Sequence, residues 1–142
     1  MAINPYINFE GNCREAIGFY SKVFNSQPRG TMTFGEMPPD PNRPLPEAAK
    51  NLILHSELVV GDDTLMFSDV PPGMPLTAGN NISLTLVSTN RDDIVNAYNG
   101  LKEGGRVTME LQQTFWTPLY AMVTDKFGIP WQLSLDTGQM AR

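Results

Sequence analysis

Among the residues whose type and spacing suit chemistry, His55 and Glu57 stand first. His55 is the single histidine of the chain, and the run LILHSELVV around it is rich in strand formers. Two positions apart in a strand, the imidazole and the carboxylate leave the same face, while Leu54, Ser56 and Leu58 leave the other. Such a pair suits a general base with its orienting carboxylate. It also suits the start of a metal site, which needs three or four ligands. A hydrogen-bonded surface pair on an edge strand has the same spacing. Cys13, the only cysteine, opens a helix whose dipole favours the thiolate, but no histidine is near it in sequence. A small packing residue in a first turn fits that position better. Gln112, Gln113, Thr114, Phe115, Trp116 and Tyr120 form a polar-aromatic run. Aromatic walls with a few amides and hydroxyls are the composition of a small-molecule pocket. Phe115 and Trp116 suit a core or dimer contact equally well.

These side chains need elements to hold them. Residues 3–10 read as a first strand. Asn12 supplies an N-cap oxygen and Glu15 stands three residues on, as in a capping box. Ala16, Phe19, Tyr20, Val23 and Phe24 then follow the spacing of one helical face, which ends near Asn25 and Ser26. Residues 35–48 hold five prolines and read as a loop. LILHSELVV, a turn at GDD and TLMFSD form a hairpin. Residues 70–80 are a second Pro/Gly connector. The pattern then restarts: the strand NISLTLVS, a cap at Thr89 or Asn90, and a helix whose stripe is Ile94, Ala97, Tyr98 and Leu101. Gly104 and Gly105 stop that helix. The strand RVTMELQQ and the hairpin LYAMVTDKFGIPWQLSL follow.

The two halves align on each other. Residues 14–17 (REAI) fall on 91–94 (RDDI), and Met66-Phe67-Ser68 falls on Gln132-Leu133-Ser134. This predicts an α+β domain, 1–142, of two βαβββ modules at about 2–70 and 80–138. A lone module covers one face of its sheet with its helix. Two modules side by side form a curved mixed sheet around a cleft, with helices on the outer face. On this register Gln132 faces the cleft and Trp131 packs under a helix; a slip by one residue reverses both. Ser83, Thr85 and Ser134 join Asn81 and Gln132 on the cleft face.

Composition sets the outer limits. The 142 residues suffice for one well-cored domain, and 41% hydrophobic with 18% charged residues are globular values. The net charge is −5, and Lys and Arg form no basic stripe, which argues against nucleic acid and anionic membranes as partners. One cysteine allows no intrachain disulfide. No apolar run approaches the roughly 20 residues of a membrane span. The first residues, MAINPYINFEGN, have neither a basic nor an apolar leader region, so a cytoplasmic location is expected. Eight methionines suit an adaptable apolar cavity or ordinary core filling.

Three segments, PYINFEGNCREAIGFYSKVF, LHSELVVGDDTLMFSD and GGRVTMELQQTFW followed by YAMVTDKFGIPWQLSL, resemble the PhnB-like branch of the vicinal oxygen chelate superfamily. That superfamily includes glyoxalase I, bleomycin- and fosfomycin-resistance proteins and extradiol dioxygenases. The resemblance spans nearly the whole chain apart from the Pro-rich loop, and its most specific part is TFW…DKFGI-W-Q-L. The branch is also labelled 3-demethylubiquinone methyltransferase-like, yet the sequence has no Gly-rich strand–turn–helix to cradle a nucleotide-like cofactor. The resemblance implies paired βαβββ modules and a metal held by His, Glu or Gln from the first and last strand of each module. Those positions fall near Pro5, Met66, Asn81 (or Ile82) and Gln132. Only Gln132 is an ordinary ligand of the superfamily. Proline has no side-chain donor, and a thioether does not replace a carboxylate.

The expectation is therefore a glyoxalase-like small-molecule-binding protein, or an enzyme without a conventional metal site. In it His55 and Glu57 are the candidate catalytic pair, with Asn81, Ser83, Trp116, Tyr120 and Gln132 on the ligand. No cofactor or metal is expected, and the resemblance points to a homodimer. The alternative is a metal-dependent lyase, isomerase or dioxygenase of the same superfamily.

Overall fold

A computed structural model describes residues 1–138. The chain divides into two compact units, Met1–Thr77 and a second beginning at Ala78. The first contains β1 (Tyr6–Phe9), α1 (Cys13–Phe24), β2 (Arg29–Thr33), β3 (Ile53–Val60) and β4 (Asp63–Asp69). The second contains β5 (Leu84–Ser88), α2 (Arg91–Leu101), β6 (Arg106–Gln112), β7 (Tyr120–Thr124) and β8 (Pro130–Leu135). Each unit is thus a βαβββ module.

The strands form two mixed four-stranded sheets, ordered β1-β4-β3-β2 and β5-β8-β7-β6. In both, the first strand pairs parallel with the last, and the other pairs are antiparallel. The registers make the two sheets superimposable by position. Met66 pairs with Tyr6 and with Glu57, and Gln132 pairs with Thr85 and with Met122. The alignment of Met66 on Gln132 is thereby met in the strand ladders.

Each helix covers one face of its own sheet. α1 packs against β3 and β4, and α2 against β5, β7 and β8. The inward stripe of α1 is Cys13, Ala16, Ile17 and Tyr20, all buried. Tyr20 stacks on Phe67 of β4 with ring centroids 5.7 Å apart. In the second unit Ile94, Ala97, Tyr98 and Leu101 of α2 are buried, and so are the alternating Trp131, Leu133 and Leu135 of β8. Alternation then sends Gln132 and Ser134 to the face away from the helix.

Three local features differ from the sequence expectation. First, β2 falls in a stretch that carries no strand pattern. It is short, mostly exposed and interrupted by a bulge, so it lacks the period-2 burial that marks a strand. Second, Asn12 is the N-cap of α1, but its side chain makes no capping bond. Asp69, at the end of β4, takes over: its Oδ1 accepts from the N–H groups of Gly11 and Cys13, at 2.9 and 3.0 Å. Its Oδ2 accepts from the N–H of Ile53 at 2.9 Å. The carboxylate offers charge-assisted bonds that an amide oxygen does not. Third, the Pro-rich loop contains two single 3-10 turns, Phe34–Glu36 and Glu47–Ala49. The cap of α2 is the expected Asn90, whose Oδ1 accepts from the N–H of Asp92 at 2.9 Å.

Candidate functional site

On the first sheet, the face away from α1 carries a connected line of polar side chains. Glu57 is hydrogen-bonded on both oxygens. Oε2 meets Nε2 of His55 at 3.1 Å, and Oε1 accepts from Nε of Arg29 at 3.2 Å. At the other end of the imidazole, Nδ1 lies 3.0 Å from the phenol oxygen of Tyr6. The Tyr6 and His55 rings are 5.7 Å apart and tilted. Strand geometry explains the assembly. Arg29 lies opposite Glu57 and Met32 opposite His55, so β2 spends three residues where β3 spends two. The extra residue is accommodated as a bulge, with Gly30 at φ +63°. The bulge brings both Arg29 and Met32 to the same face as the histidine pair. The two bonds to Glu57, from His55 first and Arg29 second, hold its carboxyl below the usual carboxylate range.

On the second sheet the corresponding face carries aromatic and amide groups. The Tyr120 hydroxyl donates to Oε1 of Gln132 at 2.5 Å, and Nε2 of Gln132 donates to the Ser83 hydroxyl at 2.8 Å. Burial pushes the Tyr120 phenol above its ordinary value. Trp116 stands edge-on to Tyr120 with centroids 5.2 Å apart, and Phe115 edge-on to Trp116 at 4.8 Å. The loop that presents them is braced at both ends. Thr114 N–H donates to the Thr117 carbonyl at 2.9 Å, and the Thr117 hydroxyl donates to the Leu135 carbonyl at 2.6 Å. Trp116 is 43% exposed and Phe115 97% exposed, so the loop offers apolar rings that it does not bury.

Comparison with known proteins is decisive at the level of family. Residues 2–133 match the model of the Glyoxalase/Bleomycin resistance protein/Dioxygenase superfamily. The chain belongs to this superfamily. It is 30% identical to Protein YjdN of Escherichia coli (strain K12) over 146 residues, with 95% of each chain covered. Among solved structures it is similar to protein PA1353 from Pseudomonas aeruginosa, at 35% identity and TM-score 0.83, covering 95% of this chain and 97% of the other. It also shares the fold of a Bacillus cereus protein described as a putative 3-demethylubiquinone-9 3-methyltransferase, PhnB protein. That match has 23% identity and TM-score 0.74, and covers 95% and 99% of the two chains. The PhnB-like resemblance read from the sequence thus has a counterpart among solved folds.

The superfamily's metal can be tested against the residues present. Among the described residues, no three His, Cys, Asp or Glu side chains gather into a group able to hold an ion. At the Met66 position the neighbour across the ladder is Tyr6, and Pro5 contributes only its carbonyl, which accepts from the Met66 N–H at 3.0 Å. His55 already has hydrogen-bond partners at both ring nitrogens. Gln132 has partners on both amide atoms. These donor sets do not fit the superfamily's usual metal.

The structure brings together some candidate residues and leaves others apart. His55 bonds to Glu57, and Trp116, Tyr120, Gln132 and Ser83 form one contiguous cluster. Asn81 is exposed in the connector before β5, and the side chain that meets Gln132 is Ser83. Cys13 takes the packing place expected of it: its thiol is fully buried and pushed up to about 12, by burial first and then by the negative charge of Asp69. The carboxylate that caps the helix opposes the dipole that favours a thiolate, and the packing role is the one the fold gives this residue.

Two participants, Tyr6 and Arg29, have no sequence motif. Tyr6 was recoverable in principle: Ile7 and Phe9 are the inward residues of β1, so alternation puts Tyr6 on the face of His55. Arg29 was not, because its placement depends on the bulge. The DKFGI-W segment turns out to organise a turn. Asp125 Oδ1 accepts from the N–H groups of Phe127 and Ile129 at 2.9 and 3.1 Å, and Oδ2 from the Trp131 indole at 2.9 Å.

Proposed function

We propose that this member of the superfamily binds an apolar or aromatic small molecule against Trp116, Tyr120, Gln132 and Ser83, and that any reaction it performs runs without a conventional metal site. The observation that carries this reading is the Trp116–Tyr120 edge contact standing on a Tyr120–Gln132–Ser83 hydrogen-bond line. Ring faces supply apolar contact and the amide and hydroxyls supply orientation, a division of labour common to ligand sites. The exposed Phe115 supports the further proposal that the protein is a homodimer, since an unburied ring beside a sheet edge favours a partner surface.

Tryptophan emission tests the binding reading. Aromatic and heteroaromatic compounds that raise the melting temperature should also change emission, since a bound ligand stabilises the native state. Trp116→Phe should abolish most of that change. Trp131, buried with its indole on Asp125, should report little. Hits that keep their full signal in Trp116→Phe and lose it in Trp131→Phe would overturn the placement. Elemental analysis is expected to find zinc, nickel and iron well below one equivalent per chain. Light scattering is expected to give the dimer mass at micromolar concentration.

A second reading rests on the first sheet: His55 and Glu57 carry out proton transfer on a bound small molecule. It is supported by the continuous line from Arg29 to Tyr6, because an oriented imidazole between a carboxylate and a phenol is a path for one proton.

A further inference from the structure

We propose that Tyr6, and not His55, is the group that exchanges a proton with the small molecule on the first sheet, and that His55, Glu57 and Arg29 form the relay behind it. The inference rests on the proton-transfer reading above and reassigns its reacting atom. Both ring nitrogens of His55 are engaged, Nδ1 by Tyr6 and Nε2 by Glu57, which leaves the imidazole no nitrogen for a ligand. Tyr6 ends the line on the side away from Arg29 and is 45% exposed.

The hydrogen bonds fix where protons reside. Ionised Glu57 only accepts, so Nε2 of His55 carries a proton. Nδ1 then has two states. As neutral imidazole it accepts the Tyr6 hydroxyl proton. As imidazolium it donates to the Tyr6 oxygen, which has become a phenolate. The line thus converts a phenol into a base by moving one proton over 3.0 Å, and the Glu57 carboxylate, itself fixed by Arg29, faces the imidazolium that results.

The chemistry of the face narrows the molecule. Arg29 and Glu57 are paired with opposite charges, so that pair offers no net charge to an anion. Met66 lies opposite Tyr6 and Met32 opposite His55, which puts thioethers along the same face. A neutral carbonyl compound with an acidic C–H fits this combination. In the forward step the Tyr6 phenolate takes the α-proton: the C–H bond breaks, an O–H bond forms, and the electron pair moves to the carbonyl oxygen as an enolate. Return of a proton from Tyr6 to carbon restores the compound. No oxidant or reductant is needed.

The experiment is hydrogen–deuterium exchange of α-hydroxyacetophenone in D2O, followed by proton NMR with the full chain and with Tyr6→Phe and His55→Gln. Wild type should accelerate exchange over buffer, and Tyr6→Phe should lose about 100-fold of it, the usual scale of a general acid–base group. A loss below about tenfold in Tyr6→Phe, with exchange abolished in His55→Gln, would overturn the assignment to Tyr6 while proton transfer at His55 stands. No acceleration by wild type would overturn both. A second measurement needs no turnover. The single histidine gives one imidazole pattern in a two-bond proton–nitrogen spectrum, and Tyr6→Phe should move the Nδ1 resonance and leave Nε2 protonated. An unmoved Nδ1 would show that the Tyr6–His55 bond does not exist in solution and would overturn the relay.

Discussion

In the first sheet the residue two positions before the ladder partner of Met66 is His55; in the second, the residue two positions before the partner of Gln132 is Tyr120. The two side chains therefore occupy one place in a repeated frame. Each forms a polar line across the sheet, but by different means. In the first, Tyr6 on the edge strand β1 is long enough to reach His55 across β4, whose Met66 has no hydrogen-bonding head to offer. In the second, Gln132 on β8 is itself the bridge between Tyr120 and Ser83. Duplication keeps the backbone registers, and the identity of one residue on the fourth strand decides whether the neighbours meet over it or through it. The helix caps differ in the same spirit. α1 is capped by a carboxylate from a distant strand, and α2 by the amide next to it.

The sharpest test of that contrast is Asp69→Ala. Three backbone N–H groups lose their partner, two of them buried, and urea unfolding should show a loss of about 3–5 kcal/mol. A loss below about 1 kcal/mol would mean that the cap in the first module is as local as that in the second. Gly30→Ala comes next. Beyond its two chain neighbours no residue comes within 4 Å of the added methyl, so the expected cost is the backbone strain of φ +63° alone, about 1–2 kcal/mol. The same variant should weaken the Arg29–Glu57 pair, visible as a changed Glu57 titration. Asn90→Ala should cost about 1 kcal/mol by urea unfolding, the ordinary value of an N-cap. The smallest effect is read in the Glu57 titration itself, by carbon NMR. His55→Ala should raise its pKa toward the usual range, and Arg29→Ala should raise it less. Because the folded value is depressed, this carboxylate contributes stability above its unfolded pKa, and the contribution fades as pH falls through the folded value.

Much of this frame is legible in the sequence. The helix stripes, both hairpins and the repeat follow from spacing, because burial on one face imposes a period on the chain. The pairing of His55 with Glu57 was legible for the same reason, since a strand has only two faces. What escaped were features that no period encodes. β2 has no buried alternation to betray it. Asp69 caps a helix that begins 56 residues earlier, and no local motif links the two. Ser83 meets Gln132 as expected, whereas Asn81, expected beside them, stays exposed in the connector before β5. The most family-specific segment, DKFGI-W, was visible at once, but its Asp125 proves to hold a turn and an indole.

The capping of α1 by Asp69 also bears on the order in which the chain acquires structure. Asn90 needs to close only two residues to reach Asp92, so α2 has its cap as soon as its first turn forms. The cap of α1 needs a loop of more than fifty residues to close, and with it the placement of β4 and of the start of β3. Loop closure on that scale comes late and is favourable only once many contacts form together. The second helix is therefore free to nucleate on its own, whereas the first is tied to its sheet and should be gained and lost with it as one cooperative unit.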